Sequence, residues 1–117
     1  MKHFDISEFD SPDEPGSGQY MDDEFLEMLD KARELAGIPF VVNSGYRTKE
    51  HNRKVGGRKN SAHLAGFAAD ISATTSRQRM WIVGSLLEAG FNRIGIADTF
   101  IHVDNDPTKP EEVMWTY

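Results

Sequence analysis

Four residues in two short stretches carry the chemistry this sequence offers. Ser61 to Asp70 reads Ser-Ala-His-Leu-Ala-Gly-Phe-Ala-Ala-Asp, placing His63 and Asp70 seven residues apart with only small or apolar residues between them. Phe100-Ile101-His102-Val103-Asp104 supplies a second imidazole and a second carboxylate in equally apolar company. Burying an unpaired group of this kind costs at least about 2 kcal/mol, so such residues are paired or bound to a metal. His63, Asp70 and His102 match the three protein ligands of a catalytic zinc, which keeps a fourth position for a water whose pKa falls to about 7. Spacing alone leaves a second reading open, a buried histidine paired with an aspartate for packing. Cysteine is absent, so disulfides and thiolate ligands are excluded and any metal site uses imidazole and carboxylate. His3 and His51 are expected at the surface, outside this group.

The elements that must position these residues follow from periodicity. Phe67 to Ser72 reads as a strand on which Phe67, Ala69 and Ile71 face one way and Ala68, Asp70 and Ser72 the other. Arg93 to Ala97 and Phe100 to Asp104 read as a hairpin turning at Asp98-Thr99, with Phe100, His102 and Asp104 on one face. Ile38 to Ser44 reads as a mostly buried strand. Two main helices are expected. The first runs over 22–36, capped by Asp22 or Asp23 and stopped by Gly37; its apolar stripe is Phe25, Leu29, Ala32 and Ala36. The second runs over 76–89, with Met80, Val83, Leu86 and Leu87 as its core face. Lys49 to Val55 is expected as a short helix. Phe4, Ile6 and Phe9 suggest an edge strand or an arm that docks by its aromatics. Residues 10–20, with two prolines and two glycines, are expected to be irregular loop. The tail after Pro107 holds Trp115, placed to cover an open edge of the core. The sum is a single α+β domain over 1–117, in which 1–20 is an arm and loop and a small, mostly antiparallel sheet packs with two main helices.

Bulk properties agree with one soluble domain. At 117 residues the chain is long enough for a modest core, and 38% hydrophobic against 27% charged residues is ordinary for a globular protein. No apolar run approaches the roughly 18 residues a membrane span needs, so no membrane partner is expected. The N-terminus turns acidic at once, so no secretory signal is expected either. The net charge of −6 is uneven: residues 1–30 carry −9, residues 31–79 carry +7 and residues 80–117 carry −4. Six of the basic residues fall between Arg47 and Lys59, directly before His63. That field either favours an anionic ligand or is a solvated basic loop. The overall acidity speaks against a nucleic-acid partner.

Ser61-x-His63-x-x-Gly66-x-Ala68-x-Asp70, followed by His102-x-Asp104 and preceded by Ser44-Gly45-Tyr46-Arg47, resembles the M15 zinc peptidases over about residues 20–106. These are the D-alanyl-D-alanine carboxypeptidases and the L-alanyl-D-glutamate or D,D-endopeptidases of bacterial peptidoglycan. The nearest likeness is to the short single-domain forms of phages and prophages. The resemblance implies a fold of the Hedgehog and D,D-peptidase type, with Zn2+ on His63, Asp70 and His102. It also implies that Arg47 stabilises the polarised carbonyl or holds a substrate carboxylate, and that the substrate is a peptidoglycan peptide. Many members place an acidic base three residues before the second histidine, where this chain has Thr99. Asp104 and Asp98 are the candidate replacements. Asp104 is favoured because Asp98 sits at a turn, although Asp104 is equally suited to orienting a ligand. Ser61 is expected to be a loop hydrogen bonder rather than a nucleophile. The protein is expected to act as a monomer, cytoplasmic until lysis or a virion brings it to the cell wall. The alternative is a catalytically silent zinc-binding module of the same fold, used for cell-wall or partner binding.

Overall fold

A computed structural model describes all of residues 1–117. Five strands form one sheet: β1 (Val42–Ser44), β2 (Ala68–Ser72), β3 (Arg93–Ile96), β4 (Phe100–Asp104) and β5 (Val113–Thr116). Their order is β1-β2-β4-β3-β5. The β1–β2, β2–β4 and β4–β3 pairings are antiparallel; only the β3–β5 pairing is parallel. The helices are α1 (Asp23–Ala36), α2 (Lys49–Lys54) and α3 (Ser76–Glu88). The α+β class and the mostly antiparallel sheet are as the sequence implies.

Period-2 alternation divides the sheet into two faces with different tasks. Ala69, Ile71, Ile94, Ile101 and Val103 point to one side and are fully buried with Phe25, Leu26 and Leu29 of α1 and Ile82 and Leu86 of α3. Asp70, His102, Asp104 and Arg93 point to the other. In the β2–β4 ladder Asp70 lies directly opposite His102, and in the β3–β4 ladder Gly95 lies opposite His102. The apolar face therefore fixes the register, since a slip of one residue would carry the polar set into the core.

Helix ends follow local chemistry. The Asp22 carboxylate accepts from Phe25 N and starts α1, and Gly37 ends it in the left-handed region at φ 68°. Thr48 and Thr75 cap α2 and α3 in the same manner. The N-terminal arm is not a strand. It forms a single 3-10 turn, Ile6–Phe9, closed by a capping box between Asp5 and Glu8, and it docks Phe4 and Phe9 into the core.

Three expectations are corrected and the reading of the tail is extended. The stretch 10–20 is not wholly irregular: a 3-10 turn spans Ser17–Tyr20, with the Asp10 carboxylate accepting from Gly16 N and Gly18 N. The strand expected over 38–44 is confined to Val42–Ser44, because it is a sheet edge: Phe40 is buried but Val41 is 60% exposed. On α3, Val83 and Leu86 pack on the core as expected and are joined by Ile82 and Ser85, whereas Met80 and Leu87 face solvent. The tail forms the fifth strand, pairing in parallel with β3.

Candidate metal centre

The polar face of the sheet gathers the site. Asp70 and His102 arrive as neighbours on adjacent strands, and His63 comes from a 3-10 turn, Ala62–Ala65, that Ser61 caps by accepting from His63 N. Ser61 is thus a local cap. The Ser44-Gly45-Tyr46-Arg47 stretch wraps this turn: Gly45 O accepts from His63 Nδ1 at 2.8 Å, and Arg47 N donates to His63 O at 3.1 Å. Gly45 must be glycine, since a Cβ there would lie 2.7 Å from the Cα of Phe9. The docked arm, through Phe9, therefore backs the loop that aims His63.

His63, Asp70 and His102 are all buried, and one ligand atom from each lies within 4.8 Å of the others. Asp70 Oδ1 stands 3.3 Å from His63 Nε2 and 3.0 Å from His102 Nδ1. Ligands about 2.1 Å from a tetrahedral zinc lie roughly 3.4 Å from one another, so both Asp70 separations fit a shared ion. The partners on the far sides agree. Gly45 O can only accept, so the proton sits on His63 Nδ1 and Nε2 is left to ligate. Asp104 Oδ2 lies 2.7 Å from His102 Nε2 and accepts a hydrogen bond from it, so Nδ1 is the nitrogen left to ligate. A histidine ligand oriented by a carboxylate or a carbonyl is the usual support of a zinc site. The N2O donor set suits zinc as well.

Electrostatics follow from this packing. Burial opposes the charge on Asp70, but hydrogen bonds from His102 and His63 outweigh it and hold the carboxyl well below its ordinary range. Burial would lower His102, yet carboxylates on both of its nitrogens, Asp104 and Asp70, raise it in the metal-free protein. Asp104 is likewise kept ionised against burial by His102 and Arg93.

The candidate catalytic residues fall in different places. Arg47 is at the site, with its guanidinium bonded to Asp70 Oδ2 at 3.2 Å, Ser44 Oγ at 3.0 Å and Asn52 Oδ1 at 3.2 Å. Asp104 is at the site too, but behind His102 and with both oxygens engaged. Its Oδ1 accepts from Arg93 Nε at 2.6 Å and from Asp106 N at 3.2 Å. Asp98 and Thr99 are exposed at the β3–β4 turn, and the Asp98 carboxylate makes no hydrogen bond or ion pair. His3 and His51 stand outside the group, each half-buried rather than exposed.

Arg93 and Gly95 escape a reading of the sequence, and Trp115, expected only to cover a core edge, joins them at the site. Arg93 holds Asp104 and stacks over the Trp115 ring at 5.2 Å. Trp115 lies 5.5 Å from the His102 ring. Gly95 makes room for that indole, since a Cβ would lie 2.5 Å from Trp115 Nε1. Period-2 alternation places Arg93 on the polar face; nothing in the sequence pairs the tail with β3.

The Peptidase M15 family profile matches residues 2–104. The chain belongs to the Peptidase M15 family. Comparison with curated proteins finds no match. The match takes in the N-terminal arm, the Arg47 loop and all three metal-ligand candidates. The chain is thus a member of a metallopeptidase family that retains a His-Asp-His group able to bind a metal.

Proposed function

We propose that this protein is a zinc-dependent peptidase that hydrolyses a peptide bond in peptidoglycan stem peptides or cross-links. The observation that carries the hydrolytic reading is the convergence of His63 Nε2, Asp70 Oδ1 and His102 Nδ1, with both imidazole tautomers set from behind for metal binding. Held by His63, Asp70 and His102, zinc would polarise a scissile carbonyl and lower the pKa of a bound water to about 7. The peptidoglycan substrate is supported by the motif resemblance and by the charge beside the site. Lys49, Arg53, Lys54, Arg58 and Lys59 are all exposed and none is in an ion pair, a flank suited to an anionic muropeptide.

Within that reaction the side chains divide the work. Arg47 has five N–H donors and spends three on Ser44, Asn52 and Asp70. Two are left for the developing oxyanion or a substrate carboxylate. Asp104 orients His102 instead of taking the water proton, because neither of its oxygens is free. Trp115 shields His102 from one side. The chain acts as a monomer, reaching the wall through lysis or in a virion.

The engagement of Asp104 and the exposure of Thr99 and Asp98 favour a second reading, a zinc-binding module that does not cut. Mass spectrometry of muropeptides incubated with zinc-loaded protein separates the two. Products that vanish on chelation, and in His63→Ala, support the peptidase. Stoichiometric zinc without products supports the module, and normal turnover by His63→Ala overturns the site.

A further inference from the structure

Asn52 is the one buried residue of α2, and the reaction described above does not use it. Its carboxamide is spent at both ends. Nδ2 donates to Arg58 O at 2.9 Å, and Oδ1 accepts from Arg47 Nη1 at 3.2 Å. Arg47 Nη2 in turn donates to Asp70 Oδ2 at 3.2 Å, which leaves Oδ1 as the oxygen that faces His63 and His102. An unbroken line of hydrogen bonds thus runs from the basic loop to the carboxylate of the metal centre.

We infer that Asn52 is a positioning residue for the metal centre, fixing the Arg47 guanidinium so that Asp70 presents Oδ1 to the ion and keeps Oδ2 turned away. The inference rests on the reading of His63, Asp70 and His102 as metal ligands. The physical need is clear. A carboxylate rotates about its last bond, and arginine has four rotatable bonds of its own. One fixed acceptor would leave the guanidinium free to swing; Ser44 on Nε and Asn52 on Nη1 lock its plane, as outer partners of metal ligands must. The loop closes tightly on this pair. A Cβ at Gly57 would lie 2.0 Å from Asn52 Oδ1 and 3.0 Å from Arg47 Nη1, so glycine is required there for space.

The alternative is that Asn52 only ties α2 to the loop at Arg58, and zinc affinity separates the two. It is measured by chelator competition, which needs no substrate. Asn52→Leu should weaken zinc by roughly 10-fold or more, the usual loss when an outer partner is removed. Asn52→Asp keeps the oxygen for Arg47, adds a charge that pairs with the guanidinium and gives up the donor to Arg58 O, so it should stay within about 3-fold of wild type while unfolding more easily. Arg47→Lys should match Asn52→Leu, and the double variant should be no worse than Arg47→Lys alone, because the two act in series. Gly57→Ala, which displaces the carboxamide without changing it, replaces Asn52→Leu if that variant does not fold. Unchanged zinc affinity in Asn52→Leu or Gly57→Ala overturns the inference, as does equal loss in Asn52→Asp, or losses that simply multiply in the double variant. Wild-type protein that binds zinc yet cuts no muropeptide would end the peptidase reading and leave this test intact. Wild-type protein that binds no zinc would end both.

Discussion

Replacing Asp104 with asparagine should cost zinc affinity more than it costs the fold. The carboxylate serves three donors, His102 Nε2 at 2.7 Å on Oδ2, and Arg93 Nε at 2.6 Å and Asp106 N at 3.2 Å on Oδ1, in a pocket where Asp104 is 2% exposed. An asparagine of the same shape offers one oxygen and one NH2, so either His102 or the Arg93 and Asp106 pair keeps its acceptor. Arg93 is charged and the charge-assisted bond is about twice as strong, so the oxygen goes to Arg93. The NH2 group then faces His102 Nε2, which must accept. The imidazole proton moves to Nδ1, the nitrogen that points at Asp70 and must be bare to ligate. A mismatched buried donor costs about 1–3 kcal/mol, which on zinc binding is roughly 5- to 150-fold. Loss of a histidine's outer carboxylate typically weakens a metal by about 10- to 100-fold, in the same range. Chelator competition at neutral pH, with urea unfolding of the metal-free protein as control, makes the measurement. Zinc affinity within about twofold of wild type would refute the claim that Asp104 sets the His102 tautomer.

Other outcomes follow from the same packing. Metal-free stability should fall at both ends of the pH range. The lowered Asp70 and Asp104 contribute stability above their ordinary value of 3.8, lost as pH falls. The raised His102 contributes stability below its ordinary value of 6.5, lost as pH rises through the folded value. Zinc needs His102 Nδ1 unprotonated, so the zinc-induced rise in Tm should be larger at about pH 8 than at about pH 5.5, and equal shifts would count against the ligand set. Gly95→Ala should expel Trp115, because the new Cβ meets Nε1 at 2.5 Å; a loss of about 1–3 kcal/mol with red-shifted tryptophan emission is expected, against no change if the indole merely rests there. Phe9→Ala should cost about 3–5 kcal/mol in urea unfolding, since Phe9 is fully buried; a cost below about 1 kcal/mol would mean the arm is dispensable.

The sequence by itself determined the parts whose signals are local. Alternation over 67–72 and 100–104 placed Asp70 on one strand face and His102 with Asp104 on another, and Asp22 and Gly37 marked the ends of the first helix through backbone groups within a turn of their own. His63, Asp70 and His102 stood out because few reasons exist to set them among alanines, isoleucines and valines. Tertiary structure decided what depends on contacts between distant segments. Whether Asp104 was a base or an orienting group turned on Arg93, eleven residues away, which takes the second oxygen. The fate of the tail turned on Gly95, which clears the space Trp115 fills. The core face of α3 turned on which side α1 and the sheet left open, so an apolar Met80 ended in solvent and Ser85 inside. The place of Arg47 turned on Asn52 and the basic loop. Side-chain pattern reports which face of an element is apolar. It carries no record of which polar groups compete for the same hydrogen bond once the chain has folded, and that competition sets the chemistry of this site.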